Sequence, residues 1–295
     1  MRPFIKWAGG KTKLLKELCA RMPGEIRTYA EPFSGGAALF FAIADPSEKY
    51  ARKLSRAILA DRNQELVITY NSIKNDVETV IHELGRYKYD RELFYETRAK
   101  NPKDLSDAAR AARLIFLNRT CFNGLWRVNS KGEFNVPFGR YKNPTICDAD
   151  ALRAASGALA KAQIVHADFA EVTRDLGAGD FVYFDPPYAP ASETADFTAY
   201  AAGGFGYADQ VRLAEEVRAL RDRGALVMLS NADTPQMRAL YKPFSLTVVA
   251  VPRSINSDAS KRGDAAELIV TSWGEPGAVE ERALSIARPA VLQGA

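Results

Sequence analysis

A short apolar strand that ends at an acidic residue and two prolines is the part of the sequence best suited to chemistry. Residues 181–184 are hydrophobic, and Asp185, Pro186, Pro187 and Tyr188 follow directly. Proline lacks a backbone N–H and fixes φ, so strand pairing must stop there. The Asp185 carboxylate and the neighbouring carbonyl are then held at the carboxyl end of the strand, the edge at which ligands bind in open α/β sheets.

These groups could recognise a planar ligand that carries an exocyclic amino group. Asp185 and a backbone carbonyl would accept its two N–H bonds, and Tyr188 would stack on its ring. The alternative is an acidic turn with a packed tyrosine, which is the simpler interpretation of this motif in isolation. The other motifs of the chain favour the ligand-binding interpretation over the acidic turn.

A glycine-rich turn at residues 33–37 is the second candidate site, between a predicted strand and a predicted helix. Phe33 opens it, and Gly35 and Gly36 would let a ligand approach the backbone N–H groups. Asp61 stands 25 residues after Gly36, at the end of the next predicted strand. An acid at this place accepts hydrogen bonds from a ribose diol, and a turn or capping aspartate is the alternative.

Two further pairs of residues could contact the same ligand. Residues 6–12 miss the spacing of a phosphate-binding loop, but Trp7 could pack over a nucleoside and Lys11 could reach a carboxylate. A core tryptophan beside solvated lysines is the alternative. Asp168 follows another predicted strand and could accept from an adenine amino group while Phe169 stacks; a helix N-cap is the competing interpretation.

The basic segment, residues 119–142, carries the net charge of the whole chain. It holds five basic residues and one acid, against a formal net charge of +4 for all 295 residues. Arginines and asparagines, which can pair with guanine and adenine, alternate there with aromatic residues that can stack or insert. This composition favours a nucleic-acid partner, and a solvated basic face is the alternative.

The remaining composition argues against other kinds of site. The three cysteines and two histidines show no metal-ligand spacing, so we expect no metal. No apolar run approaches the ~18 residues of a membrane span, and the N-terminus lacks the apolar core of a signal peptide. We therefore expect a soluble, cytoplasmic protein with no membrane partner.

The predicted elements describe one α/β domain that is interrupted by an insertion. Residues 66–118 look helical, and residues 123–143 have the composition of a hairpin or shaped loop. Strands and helices alternate before and after this stretch. The predicted strands cover 27–30, 56–60, 163–166, 181–184, 225–229, 244–251 and 267–273, and the principal helices outside the insertion cover 13–21, 37–44, 149–160 and 211–221.

Together these segments closely resemble the Dam family of DNA adenine-N6 methyltransferases. The likeness covers roughly residues 4 to 273 in order. It is carried by Lys6–Lys11 at the N-terminus, Pro32–Gly36 in the glycine-rich turn, Asp185–Tyr188 at the strand end, and Phe122–Arg127 with Gly132–Gly139 in the basic segment. It extends through Ala189-Pro190, Phe197–Tyr200 and Arg253–Ile255.

The resemblance implies a class I S-adenosylmethionine-dependent methyltransferase fold: α/β, Rossmann-like, with a mostly parallel sheet and one antiparallel strand. Its catalytic domain would be discontinuous, at 1–65 and 149–273. A largely helical target-recognition subdomain bearing a hairpin or loop would be inserted at 66–148, and a C-terminal tail would occupy 274–295. The implied partner is double-stranded DNA, and we expect a monomer with no obligatory protein partner.

The implied reaction is methyl transfer from S-adenosylmethionine to N6 of an adenine flipped out of the duplex, with GATC as the target. A methylase acting on protein glutamine or on RNA, and a DNA-binding module without turnover, are the alternatives. The expected catalytic residues are Asp185, Pro186, Pro187 and Tyr188. The expected cofactor contacts are Trp7, Lys11, Phe33, Gly35, Gly36, Asp61, Asp168, Phe169 and Asp185.

The expected DNA contacts combine the family's positions with the composition of the basic segment. They are Lys6, Arg119, Phe122, Asn123, Leu125, Arg127, Asn129, Pro137, Arg140 and Tyr141. Three residues depart from the family's pattern. Ala37 replaces a glycine that some members have, Phe122 stands where members often have tyrosine, and Trp126 is bulkier than expected.

Overall fold

The computed structural model describes residues 1–188, 204–252 and 264–283, and these are built on an eight-stranded sheet. The strands lie in the order β3-β2-β1-β4-β5-β7-β6-β8. Their bounds are β1 Ile26–Glu31, β2 Leu54–Asp61, β3 Ala162–His166, β4 Phe181–Phe184, β5 Leu226–Ala232, β6 Ser245–Pro252, β7 Asp264–Thr271 and β8 Val279–Ala283. The Phe197–Tyr200 and Arg253–Ile255 parts of the resemblance, and Ala189-Pro190, lie outside the described residues.

The pairing of the strands confirms the predicted class I arrangement. Within the described sheet, β7 pairs antiparallel with β5 and β6, and the remaining pairs are parallel. The chain runs outward from β1 through β2 to β3, then returns to the other side of β1 with β4. The order therefore reverses between β1 and β4, which in such sheets is where a ligand binds.

Helices pack on both faces of the sheet. Successive side chains of a strand point to opposite faces, so each central strand contributes to two apolar clusters. Tyr29, Leu59 and Tyr183 belong to one apolar cluster, and Ala30, Ile58 and Val182 to another. The helices are α1 Leu15–Arg21, α2 Ala38–Ala44, α3 Gln64–Asn75, α4 Val77–Gly85, α5 Arg91–Ala99, α6 Asp107–Thr120, α7 Ala149–Leu159, α8 Phe169–Thr173, α9 Tyr207–Asp222 and α10 Pro235–Leu240.

The helices of the predicted insertion begin at the capping signals in their sequence. Asn63, Asp90 and Ser106 each accept a hydrogen bond from a first-turn backbone N–H of α3, α5 and α6. The expected boundary at residue 66 falls inside α3, however. This helix is bound to the sheet, because Asn71 and Lys74 donate to backbone carbonyls of β3. Residues on both sides of the expected boundary thus share one apolar core.

The C-terminal part differs from the sequence-based expectation. β8 lies in the predicted tail and pairs with β6 at the edge of the sheet. Its sequence, residues 279–283, lacks the alternation of apolar and polar residues that marks a half-buried strand. In the described parts of the chain, no helix has both the length and the apolar character to cross a membrane.

Candidate active site

A cavity of about 980 Å³ lies at the carboxyl ends of β1, β2 and β4. It is the place where the strand order reverses, and three acids mark it: Glu31 ends β1, Asp61 ends β2, and Asp185 follows β4. Seven of the nine residues expected to contact a cofactor line this cavity. They are Trp7, Lys11, Phe33, Gly35, Gly36, Asp61 and Asp185.

The glycine-rich turn forms one wall of the cavity, against the indole of Trp7. Gly35 has a φ of 44°, and a Cβ added to it would lie 2.7 Å from Cδ1 of Trp7. Only glycine fits this combination of conformation and contact. Ala37 also has a positive φ, 48°, where an alanine is disfavoured. The replacement of glycine at this position is therefore not a neutral change but adds local backbone strain.

Asp61 holds the turn and faces the cavity at the same time. Its Oδ2 accepts from Gly35 N at 3.0 Å and its Oδ1 from Asn63 N at 2.8 Å. Burial raises the pKa of the Asp61 carboxyl, although these hydrogen bonds limit the rise. A carboxylate has about four acceptor positions, so Asp61 keeps capacity for a ligand hydroxyl. Asp61 can therefore stabilise the turn and still accept hydrogen bonds from a ribose.

Lys11 connects the N-terminal segment to the strand-end motif. Its Nζ lies 2.7 Å from Oδ1 of Asp185 and 4.7 Å from the ring centroid of Tyr188, and it donates to the carbonyl of Gly9 at 2.6 Å. Burial raises the pKa of Asp185 to about 6, and the Lys11 ammonium opposes that rise. The carboxylate that Lys11 reaches is therefore that of Asp185.

Two glutamates of the site were missed by sequence reasoning. Glu31 lines the cavity, and burial raises its pKa to about 8 while the hydroxyl of Tyr29 donates to it. Its position at the end of a strand, like that of Asp61, could have identified it as a site residue from the sequence. Glu267 accepts a 2.8 Å hydrogen bond from the Tyr188 hydroxyl. It comes from the antiparallel β7, so its proximity could not be read from the motif.

Asp168 and Phe169 require a correction, because neither lines the cavity. Asp168 caps α8 by accepting from Ala170 N, and both its oxygens pair with Arg212. The capping interpretation is therefore the one that the structure supports. The ring of Phe169 is buried and packs behind Phe33, with ring centroids 5.6 Å apart. It supports a cavity residue rather than presenting its own face to the cavity.

The basic segment folds back on itself as a hairpin-like loop beside the cavity. Antiparallel bridges join Cys121 to Phe138 and Val128 to Phe134. The side chain of Asn118 ties the loop to the N-terminal segment, since it binds the backbone N–H and carbonyl of Lys6 and the carbonyl of Gly124. The predicted DNA residues Phe122, Asn123, Arg127, Pro137 and Arg140 are exposed on this segment.

Other residues of the predicted DNA set have structural contacts. Arg119 is less available than expected: it is half-buried, its guanidinium donates to the carbonyl of Phe4, and burial lowers its pKa. Asn129 shapes the loop turn, because its Oδ1 accepts from Lys131 N and Glu133 N. Tyr141 donates to the carbonyl of Cys121.

Two side chains that line the cavity, those of Lys6 and Trp7, contact aromatic residues of the loop. Leu125 is half-buried, and Lys6 places its Nζ 4.8 Å from the ring centroid of Tyr141. Trp126 stacks on Trp7, with ring centroids 6.2 Å apart and an interplanar angle of 19°. The residue that departs most in size from the family's pattern thus touches the wall of the cavity.

The sequence motifs, the cavity and the loop agree with comparisons to known proteins. A family model described as D12 class N6 adenine-specific DNA methyltransferase matches residues 7–255. The chain belongs to this family. It is 41% identical to the type II methyltransferase M.MjaIII of Methanocaldococcus jannaschii over 292 residues, which are 92% of this chain and 99% of that one.

Other relatives in this family match over the same extent. The type II methyltransferase M1.LlaDCHI of Lactococcus lactis is 40% identical, over 93% of this chain and 96% of its own. The DNA adenine methylase of Escherichia coli K12 is 37% identical, over 91% and 94%. The enzyme is therefore an S-adenosylmethionine-dependent, adenine-specific DNA methyltransferase. Among residues 1–188, 204–252 and 264–283, no group of His, Cys, Asp and Glu side chains forms a metal site.

The raised pKa of Asp185 gives a prediction for the pH dependence of the enzyme. Methyl transfer should fall as the pH is lowered through about 6, because protonation neutralises the carboxylate that is expected to accept a hydrogen bond from the adenine amino group. Lys11→Met removes the cation that opposes the rise, so the acid limb should move to higher pH. Single-turnover rates at saturating cofactor, measured between about pH 5 and pH 9, check this. An acid limb that stays in place in Lys11→Met would contradict the assignment.

Proposed function

We propose that the enzyme methylates N6 of an adenine that has been flipped out of double-stranded DNA, with GATC as its target. The observation that carries this proposal is the placement of the Asp185 motif. Asp185 and the buried Pro186 line the same cavity as the glycine-rich turn. An acceptor for an amino group and a binding place for the methyl donor thus share one cavity.

The chemistry of adenine explains why these acceptors are needed. The N6 lone pair is delocalised into the ring, so the amino group is a poor nucleophile. Hydrogen bonds from its two N–H groups to Asp185 and to the Pro186 carbonyl would localise the pair on nitrogen. Placement of charge and proximity then supply most of the acceleration. The N–H proton becomes acidic only once nitrogen is alkylated, so no strong base is needed beforehand.

The cavity fits S-adenosylmethionine, which when bound supplies an electrophilic methyl group. Gly35 leaves room for close approach to the backbone, and Asp61 offers free lone pairs for a ribose diol. Trp7 and Phe33 present aromatic surface to the same space. Lys11 and Asp185, which both line this space, form an ion pair. We infer that Lys11 orients Asp185 until the target amino group arrives.

The proposed DNA interface is the exposed part of the basic segment. Phe122 is 51% exposed, and Asn123 beside it is also exposed, at a φ of 55°. A phenylalanine that projects from the surface can enter the space that a flipped base leaves, at a cost for the DNA of a few kcal/mol. The GATC target is inferred from the likeness of Phe122–Arg127 to the Dam family.

A methyl-transfer assay on short duplexes tests the proposed target directly. Labelled methyl groups should enter a duplex with one GATC site and not its partner in which the adenine is replaced. A duplex premethylated at both adenines should also stay unlabelled. Equal labelling of a GATC-free duplex would overturn the target while leaving the adenine chemistry intact. The absence of transfer to every duplex would overturn the proposed activity.

Asp61→Ala should weaken S-adenosylmethionine binding by removing the acceptor at the end of β2. We expect a loss of roughly tenfold or more, since a hydrogen bond to a charged group contributes about 1.5–3 kcal/mol. Trp7→Ala should also lower the affinity for the cofactor. Because Trp7 stacks on Trp126 of the basic segment, this variant should disturb the loop as well and is the less specific test. Calorimetry measures both affinities, and Asp222→Ala, an exposed aspartate on α9, is the matched control.

The same variants should separate cofactor binding from DNA binding. Asp61→Ala should bind non-specific duplex DNA as the wild type does, because Asp61 lies in the cavity and not on the basic segment. Unchanged cofactor affinity in both Asp61→Ala and Trp7→Ala would show that the cofactor binds elsewhere.

A further inference from the structure

Two buried amide side chains stand behind the Asp185 motif. Gln210 lies in the first turn of α9 and Asn231 in β5, and both are 0% exposed. Nε2 of Gln210 donates to the carbonyl of Pro187 at 3.0 Å, and Nδ2 of Asn231 donates to Oε1 of Gln210 at 2.9 Å. Neither side chain lines the cavity. They are therefore outside the set of residues that would touch cofactor or base.

The orientation of both amides is determined by their neighbours. Oδ1 of Asn231 accepts from the backbone N–H of Ala232 at 2.8 Å, and that group can only donate. The NH2 group of Asn231 must then face Gln210, so Oε1 of Gln210 accepts and its own NH2 group remains for Pro187. A carbonyl can only accept. The donor and the acceptor of each hydrogen bond between Ala232 and Pro187 are therefore fixed.

This chain acts on a segment that the sheet itself cannot hold. The described pairing of β4 with β5 ends at Phe184, and the two prolines that follow Asp185 have no N–H to donate. Buried amides are costly unless they are fully hydrogen-bonded, whereas an apolar pair could fill the same space. The polar pair thus does something that apolar packing could not. It fixes a carbonyl two residues beyond Asp185.

We propose that Gln210 and Asn231 are positioning residues for methyl transfer, which hold Asp185 and the Pro186 carbonyl at the spacing that the adenine amino group requires. The inference rests on the proposed role of these two acceptors. Because the pair touches neither the cavity nor the basic segment, its loss should lower the rate of transfer without weakening binding. A displacement of about 1 Å can slow an enzymatic step about 100-fold.

The test compares Gln210→Met with the double variant Gln210→Met/Asn231→Leu. The single variant leaves the Asn231 amide without its acceptor, so it should lose both stability and rate. The double variant removes the Asn231 amide that the single variant leaves unpaired, so it should regain part of the lost stability, while the Pro187 carbonyl and the Ala232 N–H still lose their side-chain partners. Its single-turnover rate should nevertheless stay roughly 10- to 100-fold below that of the wild type.

Thr173→Val is the matched control for a buried hydrogen bond to α9. Thr173 is 0% exposed and donates to Glu216 of that helix. This variant should unfold at a lower temperature and keep a single-turnover rate within about twofold of the wild type. Dissociation constants for S-adenosylmethionine and for GATC duplex, measured on every variant, should change by less than about threefold.

Each outcome decides the inference. A slow but stable double variant with wild-type affinities supports a positioning role. A double variant that transfers at the wild-type rate overturns it, as does a loss of cofactor affinity that matches the loss of rate. If the wild type itself transfers no methyl group to any duplex, the proposed function fails and this inference fails with it.

Discussion

Asp185→Ala should abolish methyl transfer while leaving a folded protein. The substitution removes the proposed acceptor of the adenine amino group and the partner that Lys11 holds at 2.7 Å. Loss of one preorganised electrostatic group typically lowers a rate by about 100- to 1,000-fold, and here a hydrogen bond that localises the lone pair is lost as well. Single-turnover transfer to a GATC duplex, followed with labelled cofactor, measures the effect.

The stability of this variant must be separated from its activity. Lys11 is 5% exposed, and removing Asp185 leaves its ammonium without a buried counter-charge, which costs up to about 3–5 kcal/mol. The double variant Lys11→Met/Asp185→Ala removes both charges, so it should be more stable than Asp185→Ala and equally inactive. Asp185→Asn should keep part of the activity, because an amide oxygen still accepts. Near-normal transfer by Asp185→Ala would show that the catalytic assignment is wrong.

The sheet and the cavity could be predicted because local signals determine them. An apolar strand that stops at an acid, such as Phe181–Phe184 before Asp185, identifies both the element and its carboxyl end. Parallel strands align these ends at one edge, so Asp61 and Asp185 had to meet there. The glycine at position 35 is a further local signal, because a positive φ is adopted more readily by glycine than by other residues.

The errors concern residues whose roles depend on distant partners. Arg119 belongs to a basic segment, but it sits at the end of α6, a helix that is buried on nearly every side. Composition cannot tell a half-buried guanidinium that is bound to the backbone from an exposed one. Asp168 pairs with Arg212, 44 residues away in the sequence. Glu267 reaches Tyr188 from 79 residues away, on a strand that enters from the opposite direction.

Trp126 shows how a departure from the family's pattern is accommodated. In the sequence it was a residue too bulky for the expected loop. In the structure its ring stacks on Trp7 and lies 5.0 Å from the ring of Phe134, measured between centroids. Stacked aromatic pairs contribute about 0.5–1.5 kcal/mol beyond the area that they bury. The larger side chain therefore joins the basic segment to the cavity wall. The antiparallel bridges of the hairpin-like loop form in its presence.

Arg127→Ala should relax the specificity of methylation at one base pair of GATC. Arg127 is exposed at the loop, and its Nε donates to Oδ1 of Asn135 at 2.8 Å, which orients the guanidinium. An arginine held in this way can bind both acceptors of a guanine in the major groove. Its loss should cost about 1–3 kcal/mol of discrimination. Binding to unrelated DNA depends on phosphate contacts and should change little.

Arg140→Ala is the matched control, because Arg140 is an exposed arginine of the same basic segment. If it contacts phosphate, its loss should weaken binding to all duplexes and lower the salt dependence by about one phosphate contact. Methylation rates on every single-base variant of GATC, with the wild type and both variants, separate the two roles. A gain of activity at variants of one position supports base recognition by Arg127. A uniform loss across all sequences would instead make Arg127 a backbone contact, because a phosphate carries no information about the base attached to it.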